Sequence, residues 1–311
     1  MGGDGMAMEI VAEGLGFPEG PVARADGSVD LVEIETGCIS RIGPDGSRTV
    51  LVNPGNGPNG LALGPDGAYY VCSSGGFVHK VSEGVNHTMS ATPKDYSGGR
   101  IDRFDPATGS YETLYDRCGE HALRGPNDIV FDREGGFYFT DLGKARPRSR
   151  DLGGVYYART DGKSISEIAF PMMTPNGIGL SPDENTLYVA ETESCRVWAF
   201  DLEAPGRIRR HPYPSPHGGR IVCGLPGFQK FDSLAIDSEG NICVATIISG
   251  AISVISPDGR LIRQVPTGDL MTTNICFGGT DMRTAYISLS GSGRLARCRW
   301  PEPGLKLNFA S

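Results

Sequence analysis

Six polar residues each stand at the head of an apolar run: Glu19 in FPEGP, Asn59 in GPNGLAL, Asn127 in GPNDIVF, Asn176 in TPNGIGL, Asp232 in KFDSLAID and Asn274 in TTNICF. All six carry a side-chain oxygen, and none is Lys, Arg or His. Brought together, the two carboxylates would resist desolvation and repel each other unless something positive neutralised them. A divalent cation is the simplest remedy, with Glu19 and Asp232 cancelling its two charges. Donors that are all oxygen select a hard ion: calcium first (Ca2+), then magnesium or manganese (Mg2+, Mn2+), with zinc (Zn2+) the choice of a softer site. Asn–Gly is also a hairpin-turn signal. As mere turn formers, however, these positions should hold an indifferent mixture of Gly, Ser, Asp and Asn.

The elements that must position them recur with them. Each copy has the polar residue, an apolar strand, a turn built from Asp, Glu, Gly or Asn, and a second apolar strand. Two further strand candidates lie between copies, as in GCISRIGPDGSRTVLV (37–52) and GAISVISPDGRLIRQV (250–265). Four strands per repeat and six repeats predict an all-β six-bladed β-propeller with four-stranded antiparallel blades around a central channel. A solenoid competes, but its repeats are usually more regular and helix-bearing, and no convincing amphipathic helix is present. In a propeller the innermost strands start near the axis, so the six polar residues would form one ring. Closure predicts that MEIVAEGL adds a strand beside GRLARCRW, which removes free edges. Residues 1–8 are expected to be a flexible N-terminal tail and 9–311 a single propeller domain. The gap from Asn59 to Asn127 is longer than a blade by about twenty residues, which marks 77–100 as an inserted loop or hairpin over one face.

Composition narrows the class. The chain has 311 residues with 39% hydrophobic content, enough for a large core, and its 45 glycines and 22 prolines lie between apolar runs. A net charge of −8 argues against nucleic acid or an anionic membrane as partner. The opening MGGDGMAMEIVAEGL lacks a charged segment followed by an apolar one, so no secretory signal is expected. Cys72, Cys195, Cys243 and Cys276 sit in or beside strand runs, and no CxxC occurs. Mostly free thiols, a cytoplasmic location and a monomer are expected.

At FPEGP, GPND (125–128), TPNG (174–177), FDSLAID (231–237) and FGG (277–279) the chain resembles the SMP-30/gluconolactonase/LRE-like family. The likeness covers nearly the whole chain, with the motifs in order. It implies a six-bladed propeller with a divalent metal in the channel and activities that include sugar lactonases and, more distantly, hydrolases that cleave phosphorus–fluorine bonds. It also implies that Glu19, Asn127, Asn176 and Asp232 are the metal ligands, that Asn127 also faces substrate, and that Asn59 and Asn274 line the channel. Four protein ligands would leave two or more places in a calcium shell of roughly six to eight oxygens. Some sugar lactonases of the family carry an arginine two residues before the equivalent of Asn127; here Gly125 stands there. That departure leaves room for a less hydroxylated lactone or ester, with Phe77, Met172 and Met173 as candidate pocket residues.

The implied chemistry is the hydrolytic opening of a lactone. The metal would polarise the carbonyl, and Asp232 would take a proton from the attacking water or attack as a nucleophile. Asn127, Asn59 and Met173 are the expected substrate contacts. Asp128 is either a partner holding the Asn127 amide or a strand-end cap. A phosphotriester or fluorophosphate hydrolase, and a non-enzymatic binding propeller stabilised by metal, remain as alternatives. No G-x-S-x-G elbow is present, which disfavours a serine esterase.

Overall fold

The structure, a computed structural model, describes residues 6–310. Its described residues form an all-β six-bladed propeller without a helix. The inner strands of blades one to six are Pro18–Ala23, Pro58–Leu63, Pro126–Phe131, Pro175–Leu180, Lys230–Ile236 and Thr272–Gly278. Each runs antiparallel to the second strand of its blade, and inner strands of neighbouring blades touch all round the ring, first against last included. The turns are built as the Pro-Asp-Gly motifs require. In the first blade Asp45 Oδ1 accepts the Ser47 N–H at 3.0 Å while Gly46 takes φ +81°.

The apolar runs are buried on both faces of each blade, which is why they read as continuous rather than alternating. Six separate hydrophobic clusters result, one in each wedge between neighbours. Between blades two and three, for example, Tyr70 and Cys72 meet Phe137 and Phe139. No single central core exists. The axis is therefore left free for a channel.

Closure occurs as expected: Glu9–Ala12 pairs with Arg294–Arg299 as the outer strand of blade six, Ile10 opposite Ala296. Of the expected N-terminal tail, residues 1–5 lie outside the described residues, and Met6 and Met8 pack on the cluster that contains Trp300. Blade four departs from the four-strand pattern. Its third strand, Arg196–Ala204, pairs with two short outer segments, Arg207–Arg209 and Arg220–Gly224. At one end of the channel the chain's last described residues cross over, with Leu305 N donating to Ile236 O and Asn308 Nδ2 to Phe131 O. At the other end lies the insertion, in which His79–Ser82 and Val85–Thr88 form a hairpin. Asn86 bonded to Glu35, Thr92 to Ala145 O and Tyr96 to Arg124 O fasten it across blades one and three. No helix among the described residues is long and apolar enough to cross a membrane.

Candidate functional site

The pairing of every inner strand slips once. The slips fall between Glu19 and Val22, Pro58 and Gly60, Pro126 and Ile129, Pro175 and Ile178, Phe231 and Leu234, and Thr272 and Asn274. A β-bulge puts two residues opposite one and re-aims a side chain out of the pleat. Here each slip lies at or beside the polar position, and Glu19, Asn59, Asn127, Asn176 and Asp232 all line one chamber of about 350 Å3. In blade six the slip comes one residue earlier than the sequence repeat indicates. Thr273, not Asn274, lines the chamber there. Asn274 turns to Glu19 instead, its Nδ2 donating to Glu19 Oε2 at 2.6 Å.

In the ring motifs Asn59–Gly60 and Asn176–Gly177 the glycine has a separate purpose, and neither of these two pairs is a hairpin turn. A Cβ on Gly60 would stand 2.5 Å from Asn127 O, and one on Gly177 would stand 2.6 Å from Leu234 N and 2.7 Å from Asp232 O. The missing side chain lets the next blade's ring residue dock at full depth. Gly177→Ala should therefore destabilise the protein by about 1–3 kcal/mol, the usual range for overpacking, as a lower urea midpoint. An unchanged midpoint would mean that the strands separate without penalty.

The approach to three of the ring positions, in blades one, three and four, is held by a carboxylate at the end of the second strand. Glu33 Oε2 accepts Gly16 N at 2.8 Å, Asp141 accepts Arg124 N and Gly125 N at 2.7 Å each, and Glu191 Oε1 accepts Met173 N at 2.6 Å. These carboxylates fix the entry of the loop without facing the chamber.

The ring itself is electrostatically congested. Burial raises the Glu19 carboxyl above its ordinary range, partly offset by hydrogen bonds from Thr273, Asn274 and Gly20. Asp232 is pushed well above its usual value by burial and then by the charge of Glu19. Asp128, pushed up to about 7 by burial and Glu19, lies one residue below the ring. It does not hold the Asn127 amide; it accepts the N–H of Ile129 at 2.9 Å and of Ile178 at 3.4 Å. Asn127 Oδ1 is buried with no hydrogen-bond partner among the described residues. Asn176 Oδ1 has only Ser233 Oγ at 3.4 Å. Among the described residues no group of three or more His, Cys, Asp or Glu gathers as a metal cluster, since the ring combines two carboxylates with amides.

Phe77 and Met89 of the insertion line the chamber. Met172 is buried in the core between blades three and four, and Met173 is 42% exposed and outside the chamber lining. Met172 ends the strand Ile165–Met172 and Met173 lies in the bend that follows, so the two methionines part company there. Three basic residues missed by motif reading, Lys144, Arg150 and Lys230, also line it. All eight cysteines are free thiols.

Residues 17–291 match the SMP-30/Gluconolactonase/LRE-like region. The chain is 26% identical to a gluconolactonase from Zymomonas mobilis, covering 91% of this chain and 79% of that protein. It is 32% identical to the lactonase drp35 of Staphylococcus saprophyticus, covering 83% and 72%. A solved structure of regucalcin, a calcium-binding protein of Agrobacterium tumefaciens, superposes with a TM-score of 0.72 at 19% identity over 97% of this chain and 98% of that one, a likeness of fold. With the ordered motifs, the six bulged inner strands and a match from Phe17 to Gly291, the chain belongs to the SMP-30/gluconolactonase/LRE-like family.

Proposed function

We propose that this protein is a metal-dependent lactonase, a hydrolase that opens a cyclic ester at the ring of the central channel. The observation that carries the reading is the pair of enclosed carboxylates, Glu19 and Asp232, each raised in pKa, beside an orphaned acceptor, Asn127 Oδ1. That donor set fits a hard divalent cation. Glu19, Asn127, Asn176 and Asp232 would hold it, calcium first, then magnesium, manganese or zinc. Among proteins similar to this chain, a calcium-binding regucalcin, a gluconolactonase and a lactonase support the same reading. When bound, such an ion acts as a Lewis acid that polarises a carbonyl oxygen and makes nearby water more acidic.

The chain's own residues supply the rest. Asp232 takes a proton from the water that attacks the lactone carbon. As the ring C–O bond breaks, that proton passes to the departing ring oxygen. Water and lactone are thereby converted to one hydroxy acid. Asn127 keeps its Nδ2 to donate to substrate, and Asn59, 4% exposed and on the same wall, supplies a second amide. Phe77 and Met89 bed the hydrocarbon part and exclude bulk water.

The test is a panel of γ- and δ-lactones with and without EDTA. Hydrolysis abolished by chelation and restored by calcium or manganese is the expected result. Turnover confined to phosphotriesters or fluorophosphates would replace the lactonase with a phosphorus-ester hydrolase. No turnover on either panel, with a lower melting temperature after chelation, would leave a binding propeller stabilised by metal.

A further inference from the structure

Lys144 is 2% exposed yet lines the chamber. Its Nζ donates to Gly76 O at 2.6 Å and lies 4.6 Å from the centre of the Phe77 ring and 5.4 Å from that of Tyr96. Among the described residues it forms no ion pair. Asp141 acts on it only from a distance, because that carboxylate is held by the N–H groups of Arg124, Gly125 and Gly143. The other two cations of the chamber are engaged: Glu193 accepts from Arg150 at 3.3 Å and from Lys230 at 2.7 Å. With Glu19 and Asp232 assigned to a divalent ion, Lys144 alone is left without a counter-charge.

A buried ammonium with one carbonyl and two ring faces is poorly compensated for lost water. Its pKa is accordingly lowered to about 8, chiefly by burial. Such a group is stabilised when a ligand brings an anion to it. Resting on the lactonase reading, we propose that the substrate is a carboxylate-bearing lactone and that Lys144 is the specificity-determining residue that receives the carboxylate. The lactone ring lies toward the ring of ligands, and the free carboxylate lies beneath the Phe77–Tyr96 side of the lid. The anion is thus met from Lys144 and not from position 125, where a Cβ would stand 2.7 Å from Gly143 O.

The test compares 5-oxotetrahydrofuran-2-carboxylate with its neutral carboxamide, which is nearly the same shape. Wild-type protein should prefer the anion in kcat/KM by roughly 10–100-fold, the range of a charge-assisted contact. Lys144→Met, which keeps the apolar stem against the rings, should lose that preference through KM and leave carboxamide turnover within threefold. Equal losses on both substrates would make Lys144 a packing residue and overturn the assignment, as would wild-type indifference to the charge. If Lys144→Met does not fold, Lys144→Gln, which is uncharged but can still donate to Gly76 O, decides by the same comparison. If neither lactone is opened, the lactonase reading fails by itself. The anion site is then read by 2-hydroxyglutarate, which should raise the melting temperature of wild type but not of the variant; no rise in wild type overturns the site too.

Discussion

Asp232→Asn is expected to lower kcat for lactone opening by roughly 10²–10⁴-fold, the span that a positioned general base contributes, even at calcium concentrations that restore full occupancy. Loss of the charge weakens calcium binding, but an asparagine oxygen can still coordinate, so raised calcium refills the site while the amide cannot take a proton at neutral pH. Asp232 is suited to the task. Burial and Glu19 raise its pKa above the ordinary carboxylate range, which makes its carboxylate a stronger base, and a bound cation would oppose that rise and keep it ionised. It stands on the bulge between Phe231 and Leu234, which turns it from the strand's alternation into the chamber. Steady-state kinetics with calcium titration by calorimetry measures both quantities. A variant within threefold of wild type would remove Asp232 from the chemistry and leave it a ligand only. Label from oxygen-18 water appearing in the wild-type Asp232 carboxylate during one turnover would replace the base with a nucleophile.

The blade count and ring closure were legible because a strand, turn, strand unit recurs with a polar head, and that repetition is stronger than any single motif. Five of the six ring residues were legible for the same reason. The sixth was not. In TTNICF the bulge falls at Thr273, and a register slip of one residue leaves no mark on residue type, so Asn274 was indistinguishable from a ring member. Lys144 was hidden for a different reason. Its burial depends on Gly76 and, from the insertion, Phe77 and Tyr96 folding back over blade three, a contact made across 68 residues in the case of Gly76. The methionine pair shows the converse: both were candidates by type, but Met172 ends its strand inside the core while Met173, in the bend that follows, is partly exposed outside the chamber.

Glu19→Gln should weaken calcium binding by roughly 10²-fold or more, since site affinity follows the charge of the ligands. The same change should leave the fold intact. Glu19 Oε2 accepts both Asn274 Nδ2 and Gly20 N, and the carbonyl oxygen of glutamine can accept the same two donors. What disappears is a negative charge that, without metal, faces Asp232 and raises its pKa. The melting temperatures should therefore cross. In EDTA, Glu19→Gln should be at least as stable as wild type, because one of two mutually repelling enclosed carboxylates is gone. In calcium at a hundredfold excess over its dissociation constant, wild type should gain about 2.7 kcal/mol, which raises its melting temperature by several degrees, and the variant should gain little. Lactone turnover in the variant should fall with metal occupancy and recover as calcium is raised into the millimolar range. Equal calcium shifts in the two proteins would show that Glu19 and Asp232 do not share an ion, and the catalytic role drawn for the ring would fall with them.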